Sequence, residues 1–320
     1  MNAWVAVTDW DWFSFLSDLN QTEGVEEANF WQPKTWGGEF GILRRGDPLL
    51  FKLKAPRNAI AGGGFFVHYT EMPLSLAWSA FGKRNGAATQ DETWRRVSRL
   101  RRQDAPWWED FTIGCILLAE PFFWPKELWI PQPKDFAPQI VRGKGYDLSH
   151  GVGAALWREV LLRMETVGSL ARSNQEEDST QLPIELPGGY TEGLPARRRI
   201  GQGTFKLVVT DAYERRCAVT EEKALPVLDA AHIRPFSDVE THDVRNGLLL
   251  RSDVHRLFDA GYLTVTPDLR MEASRRLHDD FNDGETYLKM HGLHVRVPAS
   301  PELHPDSEAL RWHNENRFRG

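Results

Sequence analysis

The chain has 320 residues, 41% hydrophobic and 26% charged, the balance of a soluble globular protein of two ordinary domains, and no apolar run approaches the roughly 18 residues of a membrane span. Its two cysteines, Cys115 and Cys217, lie far apart without a CxxC pair, which excludes a disulfide framework and a zinc ribbon. The net charge of −6 argues against a nucleic-acid partner until its distribution is read: residues 1–172 carry twenty charges of each sign, 173–192 five acids and no base, and 193–320 nineteen bases against twenty acids.

The excess is confined to SNQEEDSTQLPIELPGGYTE, a polar stretch containing Pro and Gly, which reads as a solvated linker over 173–192. The two flanking parts are near neutral, and sixteen of the nineteen C-terminal bases are Arg, the side chain suited to bidentate phosphate contact. The start, MNAWVAVTDWDWF, is acidic and aromatic where a secretory signal is basic and then aliphatic, so a cytoplasmic location is expected.

Eleven of the thirteen tryptophans lie before residue 130. Short β-like runs at 4–7, 49–53, 64–68 and 111–119 alternate with turn signals at Gly46-Asp47 and at the triplet Gly62-Gly63-Gly64. Helical patterns cover 12–19, 93–102 and 152–172, and the second carries five Arg, including Arg95, Arg96 and Arg99, as a candidate track for phosphates. The expectation is an α+β domain on a curved sheet, closed by the last helix.

After the linker, Arg197, Arg198 and Arg199 precede an expected helix over 203–213 and are candidate phosphate contacts. Residues 227–233 read as a strand, a polar loop runs to Arg245, and 247–250 read as a second strand. Ser252 is then an expected N-cap, and Gly261 a C-terminal stop, for a short helix carrying Leu257 and Phe258 on its apolar face. On this strand, loop, strand and helix sit His232, Asn246, His255 and Asp259. The last two are four apart and share a helix face. His255 falls in the first turn, where the helix dipole is expected to keep the ring neutral for metal ligation. A metal there would offset charge building on a phosphate, while neutral His232 takes a proton from water. Arg251, between strand and helix, is a candidate to clamp the phosphate. Taken alone, each of these residues has an ordinary structural reading; the combination points to chemistry.

The segment CAVTEEKALPVLDAAHIRPFSDVETHDVRNGLLLRSDVHRLFDAG resembles the HNH (ββα-metal) nuclease family, with the likeness spread over about 195–315. The resemblance implies His232 as general base, Asn246 as the residue that ties the loop and orients that base, and His255 as a metal ligand, with Mg2+ or Mn2+ as cofactor. Many members place a metal-binding Asp or His immediately before the base, where this chain has Ala231; Asp229 and Asp259 both remain open as the second ligand.

The N-terminal order of WVAVT, a helix, FWQPKTWGGEFGILRRGDPLLFKLK, GFFVHYTE and IGCILLAEPFF resembles the PUA-like superfamily of EVE, ASCH and SRA modules. The resemblance implies a small curved β-barrel that holds a modified base, such as a modified cytosine, between aromatic walls. Candidates for those walls are Trp31, Trp36, Phe66, Tyr69 and Trp78, with Asp11 or His68 reading a base edge. The combined expectation is a modification-dependent restriction endonuclease acting on double-stranded DNA, without a membrane, and as a homodimer because one site cuts one strand. Two alternatives stay open: a non-cleaving reader of modified DNA with a degenerate metal site, and an HNH nuclease whose N-terminal domain binds RNA or a protein.

Overall fold

A computed structural model describes residues 1–37, 40–102, 106, 109–175, 201–236 and 243–320, with side chains left out of the description over 168–175. The chain divides into two compact units, 1–198 and 199–320. Among the described residues no helix is long and apolar enough to cross a membrane.

The first unit is built on one mixed sheet. Its strands are β1 (Asn2–Thr8), β2 (Glu27–Gln32), β3 (Pro48–Leu53), β4 (Ala59–Pro73), β5 (Thr112–Phe123), β6 (Ile130–Pro131) and β7 (Gly143–Asp147). They run in the order β2-β5-β4-β3-β1-β7, with β6 pairing β4, and β1 and β3 are parallel while the other pairs are antiparallel. The helices α1 (Trp10–Thr22), α2 (Leu74–Phe81), α3 (Gln90–Arg101) and α4 (Gly151–Gln175) complete the unit. Asp9 caps α1 by accepting the amide of Asp11, and Trp12, Phe13, Leu16 and Leu19 form the buried face. That face packs with Phe30, Phe51 and Phe66 into one core; a second core holds Leu50, Ile60, Tyr146 and Val160.

Two expectations are corrected. The glycine triplet is no turn: it lies inside β4, where a Cβ on Gly62 would sit 2.1 Å from Phe122 O and one on Gly63 2.8 Å from Leu49 O. Side chains are excluded there because β4 is pressed between β3 and β5 beside two register shifts that bend it. The sheet is also open where a closed barrel was expected, because no ladder joins β2 to β7 among the described residues. The turn at Gly82–Asn85 packs on β2 through side chains: Asn85 O accepts the indole N–H of Trp31 and Asn85 Oδ1 the side-chain amide of Asn29, both at 2.9 Å.

In the second unit, α5 (Gln202–Ala212) precedes an antiparallel hairpin of β8 (Leu228–His232) and β9 (Gly247–Arg251), followed directly by α6 (Ser252–Asp259). A two-stranded ladder of β10 (Leu263–Val265) and β11 (Met271–Ala273) then carries the short helices α7 (Arg276–Phe281) and α8 (Glu285–Leu288) and the last helix α9 (Ser307–Asn316). Ser252 is the first helical residue and not the N-cap; the cap position is Arg251, and the Ser252 hydroxyl donates to Val227 O at 3.1 Å. The hydroxyl thereby ties the helix start to the strand start.

Candidate active site

The register of the hairpin pairs His232 with Gly247, so the last residue of β8 faces the first of β9. Asn246, 7% exposed, precedes that pair and brackets the turn: its Oδ1 accepts the amide of Arg234 and its Nδ2 donates to Arg234 O, both at 2.9 Å, while its own carbonyl accepts Ile233 N–H at 2.9 Å. The chain beyond His232 cannot swing without breaking three hydrogen bonds. The His232 ring is held from the other side by Phe205 of α5, stacked on it with centroids 4.1 Å apart and planes 10° apart. Glycine at 247 permits this clamp, since a Cβ there would lie 2.7 Å from Val209 Cγ2 and 3.0 Å from Phe205 Cζ.

Across the hairpin, His255 presents both ring nitrogens to carboxylates: Nε2 is 3.2 Å from Asp259 Oδ2, one helical turn on, and Nδ1 is 3.8 Å from Asp229 Oδ2 on β8. Burial alone would lower the His255 pKa, but the Asp259 and Asp229 carboxylates outweigh it and lift the imidazole above its ordinary value. The dipole of the helix terminus, expected to favour the neutral ring, is therefore opposed here by the carboxylates. The terminus offers about half an elementary charge, whereas two whole negative charges face the ring at close range.

Asp229, His232, His255 and Asp259 line one cleft of about 550 Å³, together with Gln202, Phe205, Lys206, Phe236, His313 and Arg317 among others. The fold therefore brings both open carboxylates to His255, and neither is removed from consideration. Ala231, at the position the departure concerned, is wholly buried. Among the described residues no three His, Cys, Asp or Glu side chains form a ready metal cage. The donor chemistry nonetheless fits a hard divalent cation, which is held by one or two carboxylates and takes its remaining positions from water and phosphate oxygens; His255 with Asp229 or Asp259 would be its protein ligands.

The structure does not bring Arg251 to this cleft. Its guanidinium makes two hydrogen bonds to Asp253, at 2.6 and 2.7 Å, and Tyr287 donates to the same carboxylate at 3.0 Å. The Arg251 guanidinium, with Tyr287, holds the Asp253 carboxyl down at about 2. Arg197, Arg198 and Arg199 lie outside the described residues. Cleft residues the sequence reading missed are Gln202 and Lys206, four apart on α5, and His313 and Arg317 near the chain's end. The i, i+4 spacing of the first pair was a visible signal; no local pattern pointed to the second, which is separated from His255 by more than fifty residues.

In the first unit the proposed aromatic walls divide. Trp36, Phe66 and Tyr69 surround Phe40, with ring centroids 5.3, 5.7 and 5.6 Å from it. The Tyr69 hydroxyl donates to Glu71 at 2.9 Å, and both accept the Trp36 amide; burial drives the Tyr69 pKa well above the usual phenol range. Phe66 is buried in this cluster, and Trp36 and Tyr69 are half-buried against it. Trp78 sits half-buried on α2 and His68 half-buried on β4 opposite Leu117. Trp31 is different: it lines a cleft of about 330 Å³ with Asp9, Trp12, Phe30, Lys54 and Arg142. Asp9 and Lys54 pair across it at 2.8 Å.

The expected basic helix is α3. Arg96 is spent internally on Glu92 and on Gly86 O, whereas Arg95 and Arg99 are exposed, pairing with Asp91 at 2.7 Å and with Asp11 at 3.8 Å. Asp11 thus belongs to a shallow basin with these arginines and is not part of the Trp31 cleft.

Residues 217–266 match the model of a family described as HNH endonuclease. Among solved structures the chain is similar to the modification-dependent TagI restriction endonuclease, with 24% identity over 37% of this chain and 38% of that one at a TM-score of 0.28. It is also similar to a mutant of the ZmASCH protein from Zymomonas mobilis, with 12% identity over 48% of this chain and 96% of that one at a TM-score of 0.29. The chain thus matches about two fifths of the restriction enzyme's length. No curated protein matches the chain. The HNH likeness read from short motifs extends over a fifty-residue segment that contains His232, Asn246, His255 and Asp259.

Proposed function

We propose that this chain is a divalent-metal-dependent DNA endonuclease of the HNH type that cuts where its first unit recognises a modified base. The observation that carries the nuclease part is the convergence of His232 and His255, on different elements, in one cleft with Asp229 and Asp259. His232, clamped by Phe205 and by the Asn246 bracket, takes a proton from a water molecule positioned beside the phosphate. As the water oxygen bonds to phosphorus, the phosphorus–oxygen bond to the leaving sugar oxygen breaks, and that oxygen takes a proton from solvent. A divalent cation, when bound by His255 with Asp229 or Asp259, supplies positive charge opposite the growing negative charge on the phosphate.

For recognition, the cleft at Trp12, Phe30 and Trp31 supports the reading best, and of the aromatic set chosen from sequence it holds Trp31. It lies at the small end of ligand pockets, which run to roughly 300–1,000 Å³, and combines aromatic walls with Lys34, Lys54 and Arg142. A base flipped out of the duplex would stack on the walls while its phosphate meets the cations. Because one HNH site cuts one strand, double-strand breaks require two copies of the chain.

The test is cleavage of otherwise identical duplexes with and without modified cytosines, in Mg2+ or Mn2+ and in EDTA. Cutting that needs metal and prefers the modified duplex is expected. Equal cutting of both removes the modified-base part, and metal-independent binding without any cutting leaves a reader in place of a nuclease.

A further inference from the structure

We infer that Lys206 and Arg317 are the phosphate clamp of the second unit's cleft, gripping the backbone of the DNA from opposite sides of the reacting groups; this rests on the nuclease reading above. The cleft has an electrostatic problem that its four motif residues do not solve. Asp229 and Asp259 both carry negative charge toward the space a phosphodiester must enter, and a phosphodiester is itself an anion. A single bound cation facing two carboxylates leaves little net attraction for the substrate.

Arg251, expected to meet that need, is engaged elsewhere, and so are two neighbouring arginines. Arg251 is taken by Asp253, Arg245 by Asp306 at 3.3 Å, and Arg234 lies over the Trp312 ring at 5.0 Å. Among the described residues that line the cleft, the permanent cations are Lys206 and Arg317. The elements that carry them fix where each stands. Lys206 follows Phe205, whose ring stacks on His232, and it shares a helix face with Gln202, which also lines the cleft. It therefore stands on the general-base side.

Arg317 ends α9 with its amide donating to His313 O at 2.9 Å, and Arg319 N–H bonds Gly261 O at 2.9 Å. Gly261 has φ +78°, and a Cβ on it would lie 2.1 Å from Arg317 O, so the chain at 317 is pressed onto the end of α6 two residues beyond Asp259. It stands on the carboxylate side. One cation beside the base and one beside the carboxylates can each take a non-bridging phosphate oxygen, Lys as a point charge and Arg as a fork. Such contacts carry no sequence information, which leaves choice of site to the first unit.

The experiment uses the full chain with Lys206→Gln, Arg317→Gln and the double variant, and with Arg245→Gln as a control from a paired arginine outside the cleft. Each clamp variant is expected to lose roughly tenfold to a hundredfold in cutting of a duplex, with an unchanged thermal melt. The slope of log binding constant against log salt should fall by about 0.9 per lost phosphate contact, and Lys206→Arg should recover most of both. Arg245→Gln should leave slope and rate as in the parent. Folded clamp variants that cut at the parent's rate with the parent's salt slope overturn the inference. If the parent does not cut with either metal, the nuclease reading falls by itself, and the clamp is judged by the binding slope alone: an unchanged slope in the double variant overturns it.

Discussion

The two units use aromatic and histidine side chains in opposite ways. In the second, Asp229, His232, His255 and Asp259 lie within 31 positions of one another, and a hairpin with its following helix delivers all four to one cleft. In the first, aromatics equally prominent in the sequence turn inward: Trp36, Phe66 and Tyr69 pack around Phe40, and the cleft that remains is lined by residues from 7 to 142. Two histidines, an asparagine and an aspartate at family spacing are informative as a set, whereas a tryptophan always has burial as a sufficient reason.

The comparison breaks first, if it breaks, at His232. His232→Ala should lower cutting by about 10²–10⁴-fold, the usual worth of a positioned general base, while DNA binding measured by anisotropy stays near the parent value; cutting that survives would reduce the second unit's histidines to the status of the first unit's aromatics. Next is the claim that Phe66 is structural. Phe66→Ala, at a side chain 7% exposed, should cost about 3–5 kcal/mol in a denaturant melt of the first unit's transition. A stable variant that loses base discrimination would return Phe66 to the recognition set.

A third effect belongs to His313, 2% exposed, stacked on Phe258 at 3.8 Å and hydrogen-bonded to Thr264 at 2.8 Å. Burial holds its pKa down to about 4 against an ordinary 6.5. Above pH 6.5 the ring is neutral in both folded and unfolded chains and nothing is lost. Between 6.5 and 4 the unfolded chain alone takes the proton, so stability falls with pH, by roughly 3 kcal/mol in all. Urea melts from pH 7.5 to 4.5 should show that fall, and His313→Gln should flatten it. The smallest effect sharpens the comparison from the other side: Trp31→Ala should cost about 1–3 kcal/mol of preference for modified over unmodified DNA, the worth of one base–aromatic stack, with little loss of stability beside Phe66→Ala. Equal preference in Trp31→Ala and parent would empty that cleft of its role.

Much of the second unit was legible because its signals are local. The strand, loop, strand and helix order follows from alternation, a polar interval and a glycine stop, and the helical spacing of His255 and Asp259 needs no tertiary information. The departures there are also local in cause: Ser252 bonds Val227 O instead of capping, and Arg251 finds Asp253 two residues away before it can find a phosphate. In the first unit the main strands were legible, but the glycine triplet was misread as a turn because a glycine run looks the same where the chain reverses and where a bent strand is crowded from both sides.

By itself, the amino-acid order determined the acidic interval between two near-neutral parts, the main helices and strands, and the set of residues able to do hydrolytic chemistry, since each depends on neighbours a few positions apart. Only the tertiary structure decided that both Asp229 and Asp259 face His255, that Phe205 clamps His232, that Arg317 comes back to the end of α6, and that the sheet stays open with Trp31 on a cleft while Trp36 packs against Phe40. The reason is physical: spacing along a chain sets which face a side chain occupies, but which distant surface covers that face is chosen by packing over the whole unit, and no local pattern records that choice.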